Sequence, residues 1–258
     1  MAGYKKLFIL FISLLSFSLY AEDIISLETR QGVQQKFIFI KAEKPIASVI
    51  LFAGGKGTLG LHTGNINWGR NNFLVRTRDL FVENNFNVAV VDAPSDRQDS
   101  DGLFFGFRDS EEHVTDIDHV ITYLRKEANV PVWLIGTSRG TESAATIALD
   151  SKQKPHGLIL TSSMSVENDK GTAVNELALE NLTMPTLIVA HEADGCKKTP
   201  VEGSEEIFEM LTNVKKKELK IFSGGDETGN PCKAKSYHGF LDIEEPVVSY
   251  ISNFIKLN

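Results

Sequence analysis

Val132-Trp133-Leu134-Ile135-Gly136-Thr137-Ser138-Arg139-Gly140 is the stretch on which the reading of this chain turns. Its first four residues are uniformly apolar, as a strand buried on both faces must be. The residues that follow, 141–149, suit a helix, and Ser143, Ala144 and Ala145 keep its start slim. Gly-x-Ser-x-Gly alone is a weak signal. Set in a tight strand–turn–helix, it lifts the serine hydroxyl above the sheet and leaves little space for side chains beside it. Gly136 and Gly140 remove Cβ atoms where backbone must approach backbone. Ser138 is therefore a candidate nucleophile. The Arg139 N–H, free at the start of the helix, is the expected first donor to a developing oxyanion. A serine that only caps its helix is the plainer alternative; it leaves the pieces described below without a purpose.

Outward from this turn, strand and helix patterns alternate. Residues 24–29 and 36–41 read as an opening hairpin, the second strand as an amphipathic edge element. Ala47–Phe52 is uniformly apolar and runs into Ala53-Gly54-Gly55-Lys56-Gly57. A helix is expected over 72–84, a strand over 86–91, a loop over 95–107 and a helix capped by Ser110 with Glu111 and Glu112 in its first turn. Further strands are expected at 157–160, 185–190 and 218–222, with helices near 203–211 and 246–255. This alternation predicts a mostly parallel sheet covered by helices on both faces. The segment 161–182 is too short for a lid domain and forms at most a small flap.

A serine nucleophile needs a base, and the base needs an orienting carboxylate. Asp194 lies a short turn beyond the strand ending in His191, a suitable place for the acid, with Glu192 and Asp226 as rivals. His238 sits in Ser236-Tyr237-His238-Gly239-Phe240, after the last strand and before the final helix. The other five histidines fit less well: His113 and His119 fall within a helix, and His191 abuts its strand and is expected to wall the pocket. The glycine run after Phe52 can bring a second oxyanion amide close to the reacting carbonyl; Gly55 or Lys56 is the expected provider. That run matches neither a phosphate loop nor a dinucleotide fingerprint, and the histidines show no metal-ligand spacing, so no metal or cofactor is expected.

Residues 1–21 read as a secretory signal: Lys5 and Lys6 precede a short apolar run that ends at Leu19-Tyr20-Ala21. The formal net charge of −7 argues against a nucleic-acid binder. The two cysteines, Cys196 and Cys232, are expected to be bonded in an exported protein, periplasmic or secreted. The bond would tie the loop of the acid to the loop of the base.

These residues together resemble the α/β-hydrolase superfamily over 22–258, and most closely its bacterial exported dienelactone-hydrolase-like and serine-aminopeptidase-like members of unassigned substrate. The Gly136–Gly140 turn, the Asp194 turn, the His238 segment and the Gly54–Gly57 turn carry the likeness. It implies an α/β-hydrolase fold without a large lid, and acyl transfer to water through Ser138, Asp194 and His238 without a cofactor. An ester or related acyl compound is the implied substrate. Dienelactone hydrolases proper use a cysteine nucleophile, so their activity does not transfer; the usual His-Gly oxyanion start is replaced by Ala53-Gly54. Peptidase, amidase and thioesterase activity share the same machinery, and a catalytically idle binding protein shares the fold. Arg70, Arg97, Arg108 and Trp68 could face substrate or serve structure.

Overall fold

The computed structural model describes residues 20–258. The signal segment expected over 1–21 lies outside the described residues except for its last two.

Eight strands form one sheet: β1 (Glu22–Arg30), β2 (Val33–Ile40), β3 (Ala47–Phe52), β4 (Phe86–Val91), β5 (Val132–Thr137), β6 (Gly157–Thr161), β7 (Thr186–His191) and β8 (Lys217–Phe222). Their spatial order is β1-β2-β4-β3-β5-β6-β7-β8. β1 and β2 form an antiparallel hairpin, β2 pairs antiparallel with β4, and every later pairing is parallel. β3 through β7 are buried along their whole length, which explains why they read as unbroken apolar runs rather than alternating ones.

The helices are α1 (Phe73–Arg76), α2 (Arg78–Glu83), α3 (Glu111–Glu127), α4 (Gly140–Asp150), α5 (Val201–Met210) and α6 (Glu244–Leu257). One apolar layer sets Phe73, Phe81, Val248 and Ile251 against Val49, Leu51 and Trp133. The opposite layer sets Ile117, Ile121, Ala144, Ala145 and Ile207 against Ile50, Leu134 and Leu158. Ser110 caps α3 as expected, its Oγ accepting from the His113 N–H at 3.2 Å.

Two expectations are corrected. The helix expected over 72–84 is broken at Thr77, whose hydroxyl and N–H both donate back to the Phe73 carbonyl, at 2.7 Å and 3.1 Å, a side-chain back-bond that bends helices. β2 is not an edge element: Phe37, Ile38, Phe39 and Ile40 are all buried between β1 and β4, so it is covered on both faces and β1 takes the edge.

The strand order places the site. The chain leaves β3 for β4 on one side and leaves β5 for β6 on the other. β3 and β5 are neighbours, with Phe52 opposite Gly136. Ligands of open parallel sheets bind beyond the carboxyl ends of the strands at such a reversal. The loop after β3 and the turn after β5 meet there.

Candidate active site

Ser138 occupies the turn between β5 and α4 with φ at +51°. Left-handed backbone costs a non-glycine residue roughly 1–2 kcal/mol. Hydrogen bonds of about 1 kcal/mol each offset that cost. The Ser138 N–H donates to the Thr161 carbonyl at 2.9 Å, and its carbonyl accepts from the Thr141 N–H at 2.9 Å and the Thr141 hydroxyl at 2.6 Å. The glycines around it have no room for a side chain. A Cβ on Gly140 would lie 2.1 Å from the Phe52 carbonyl oxygen, and one on Gly136 would lie 2.4 Å from that of Gly140. A Cβ on Gly54 would come within 2.9 Å of the Ser138 Cβ, so the loop after β3 packs directly on the serine.

His238 lies in a single 3-10 turn, Tyr237–Gly239, between β8 and α6. Its ring Nδ1 is 2.9 Å from the Asp194 Oδ2, and both side chains are nearly inaccessible to water. A carboxylate only accepts, so Nδ1 is the donor in this pair. The Asp194 Oδ1 accepts from the Cys196 N–H at 2.9 Å. Two further residues, both unremarked in the sequence, hold this pair. The Thr199 hydroxyl lies 2.9 Å from the Asp194 Oδ2 and 3.0 Å from the His238 Nδ1. The Ser162 hydroxyl donates to the His238 carbonyl at 2.9 Å. Glu192 and Asp226 are exposed, and among the described residues neither bonds to His238.

Ser138 and His238 line one cavity of about 540 Å³ at the carboxyl edge of the sheet. Among the described residues no direct hydrogen bond joins their side chains. Such bonds often tighten only when substrate is seated, and a shared cavity leaves room for that closure.

Gly54, Gly55, Lys56 and Gly57 form the facing wall of this cavity. Among the described residues, the N–H groups of Gly55, Lys56 and Arg139 have no acceptor within the protein. Arg108 fixes the loop from behind. Its Nη2 donates to the carbonyls of Ala53 and Gly55, each at 3.1 Å, and its Nη1 donates to the Ser143 hydroxyl at 2.6 Å. His113 Nε2 meets that same hydroxyl at 2.9 Å. Burial holds the Arg108 guanidinium down to about 10, against the opposing pull of Glu142, and holds His113 down to about 3, so the arginine is charged and the histidine neutral at ordinary pH. Gly57 has φ at +74°, a left-handed conformation that favours glycine, and a Cβ there would also lie 2.5 Å from Leu103 Cδ1 and 2.7 Å from the Arg108 Nη2.

The remaining candidates separate cleanly. Arg70 and Trp68 line the cavity; Arg97 instead stacks 4.5 Å above the Phe107 ring. His191 is not among the residues lining it. It stacks on Tyr237 at 4.8 Å between ring centres and bonds the Gly224 carbonyl, supporting the histidine segment from beneath. Cys196 and Cys232 are bonded, with 4.6 Å between their Cα atoms. No cluster of metal-ligating side chains occurs among the described residues.

No family model matches the sequence, and no curated protein matches it. Solved structures do resemble the fold. An esterase of Pyrococcus furiosus superposes with a TM-score of 0.66 at 13% identity, covering 92% of each chain. A sugar hydrolase of Lactococcus lactis gives 0.64 at 16% identity, covering 92% of this chain and 97% of that one. An α/β serine hydrolase without a lid, from Xanthomonas campestris, gives 0.62 at 13% identity, covering 91% of this chain and 94% of that one. With an eight-stranded, mostly parallel sheet flanked by helices and, among the described residues, no large lid, the chain has the α/β-hydrolase fold.

Proposed function

We propose that the protein is a serine hydrolase of carboxylic esters, with residues 22–258 as its hydrolase domain. The observation that carries this reading is His238, paired with Asp194 at 2.9 Å and lining the same cavity as a serine held in left-handed backbone. In this reading Ser138 Oγ attacks the ester carbonyl while its proton passes to His238 Nε2. The carbonyl oxygen becomes an oxyanion held by the Arg139 N–H and by an amide of Gly55 or Lys56, each such donor contributing roughly 3–4 kcal/mol. The imidazolium returns the proton to the departing alcohol. Water then repeats the attack on the acyl-enzyme, with His238 again as base, and the acid leaves. Asp194 keeps the imidazole in the useful tautomer. The esterases among the structural neighbours support an ester rather than an amide as the substrate.

A fluorophosphonate probe tests this directly. Mass spectrometry of the labelled, digested protein is expected to place the adduct on Ser138. Folded protein that stays unlabelled would count against an active serine. Rates on matched esters, amides and thioesters then rank the acyl classes.

The Cys196–Cys232 bond closes a 36-residue separation, for which chain entropy alone gives about 4 kcal/mol of stabilisation. We read it as serving the chemistry too, because it joins the segments carrying Asp194 and His238. Small displacements of reacting groups are costly, so reduction is expected to lower kcat by roughly tenfold or more, with little change in the circular-dichroism spectrum at moderate temperature. Unchanged kcat after a thiol titration has verified reduction would leave the bond a stabilising role only. A bonded pair suits an oxidising compartment and, with the leader read over 1–21, supports export to the periplasm or beyond. No helix among the described residues is long and apolar enough to cross a membrane.

A further inference from the structure

The charge lining the cavity points to a narrower substrate class, and this inference rests on the ester-hydrolase reading above: we infer that the substrate is an ester carrying a negative charge of its own, such as a carboxylate, sulfate or phosphate group. Lys56, Arg70, Lys170 and Lys233 all line the cavity that holds Ser138 and His238, and no Asp or Glu lines it. This runs against the composition of the chain, which has 34 acidic residues to 27 Lys and Arg and a net charge of −7. Four cations with no carboxylate therefore depart from the chain's own balance of charge.

The four cations also come from four separate parts of the chain. Lys56 is in the loop after β3, and Arg70 lies just before α1. Lys170 belongs to the segment between β6 and β7, and Lys233 to the loop closed by the disulfide. A local run of basic residues does not produce this; the fold gathers them. All four are exposed. Among the described residues none has a carboxylate within salt-bridge distance, whereas elsewhere Arg76, Arg78 and Arg139 are each held by one and Arg30 by two. Arg70 spends its Nε on the Ile66 carbonyl at 2.7 Å, and Lys170 Nζ sits 5.2 Å from the centre of the Phe104 ring, itself part of the lining. Neither contact neutralises a charge. A cleft lined by one sign of charge concentrates ligands of the other sign. Aromatic surface is available beside it from Trp68 and Phe104.

The test compares pairs of esters that differ in charge but little in shape. 4-Nitrophenyl hydrogen glutarate against 4-nitrophenyl pentanoate places the charge on the acyl side; 4-acetoxybenzoate against its methyl ester places it on the alcohol side. A preference of about tenfold or more in kcat/KM for the anionic member of at least one pair is expected. It should shrink as salt rises from about 20 mM to about 500 mM, because exposed cations are screened. The Arg70→Gln, Lys170→Gln and Lys233→Gln triple variant should lose most of the anionic-to-neutral ratio. Equal rates within both pairs, or a preference for the neutral members, would overturn the inference while leaving the hydrolase intact. Calorimetric titration of the same esters into Ser138→Ala protein separates the two readings. Should wild-type protein neither take the fluorophosphonate nor cleave any ester, the ester-hydrolase reading falls. Tighter binding of the anionic esters would then still support the charge preference, and equal binding would end it.

Discussion

Replacing Ser138 with alanine is expected to lower kcat on any cleaved ester by about 10⁶-fold and to abolish fluorophosphonate labelling, with the fold intact. The substitution removes only Oγ. It does not relieve the left-handed backbone at +51°, since alanine is no better suited to it, and it spares the bonds to Thr161 and Thr141, which use the main chain of residue 138. Stability should therefore stay within about 1 kcal/mol of wild type. The residual rate should come from the Arg139 amide and the Gly54–Lys56 loop, which the substitution leaves in place. A thermal melt beside the kinetic assay makes the result interpretable. A folded variant that keeps more than about a tenth of the wild-type turnover would remove Ser138 from the chemistry.

Asp194→Asn is expected to lower kcat by about 10⁴-fold, a rise of about 5.5 kcal/mol in the barrier. The local hydrogen bonds explain why so small a change costs so much. The Oδ1 of residue 194 accepts from the Cys196 N–H and Oδ2 faces the His238 Nδ1. An asparagine keeping its oxygen toward Cys196 must turn its NH₂ toward the imidazole. Nδ1 must then accept, and the ring proton moves to Nε2, where it blocks removal of the serine proton. The Thr199 hydroxyl, within reach of both partners, also loses its carboxylate acceptor. The fold should be spared because the shape of the side chain is preserved. Turnover within tenfold of wild type would transfer the orienting role to another carboxylate, with Glu192 and Asp226 the sequence candidates.

Local patterns made much of this legible before any coordinates. The serine turn could be read because its requirements are consecutive: an apolar strand, two glycines two residues either side of Ser138, and small residues after it. That Asp194 and His238 lie near the same sheet edge could be read because each follows a strand pattern, and their side chains do meet there. The cysteines pair as expected, the two being the chain's whole complement of thiols. What escaped reading is held by contacts between distant residues of ordinary type. Thr199 and Ser162 look like any other hydroxyl residue in a loop, and nothing in their neighbourhoods marks them as partners of His238. Arg108 carried a recognisable charge, but its purpose depends on two main-chain carbonyls 53 and 55 residues away. The break at Thr77 depends on one side chain bonding its own helix. The interior place of β2 depends on β4 arriving beside it and on the two apolar layers that take Ile38 and Ile40 on one face and Phe37 and Phe39 on the other, which no period within Val33–Ile40 records.

The sulfur bridge also limits what unfolding can undo. Along the main chain Asp194 and His238 are 44 residues apart, so denatured chain without the bridge could carry them about 150 Å from each other. Through the bridge they are linked by two residues on one side and six on the other, a tether of roughly 30 Å at full stretch. A molecule melted with its sulfurs joined thus keeps a memory of this pairing. On cooling, Asp194 and His238 search a small volume at high effective concentration, and activity lost to heat should return more readily in oxidised protein than in reduced.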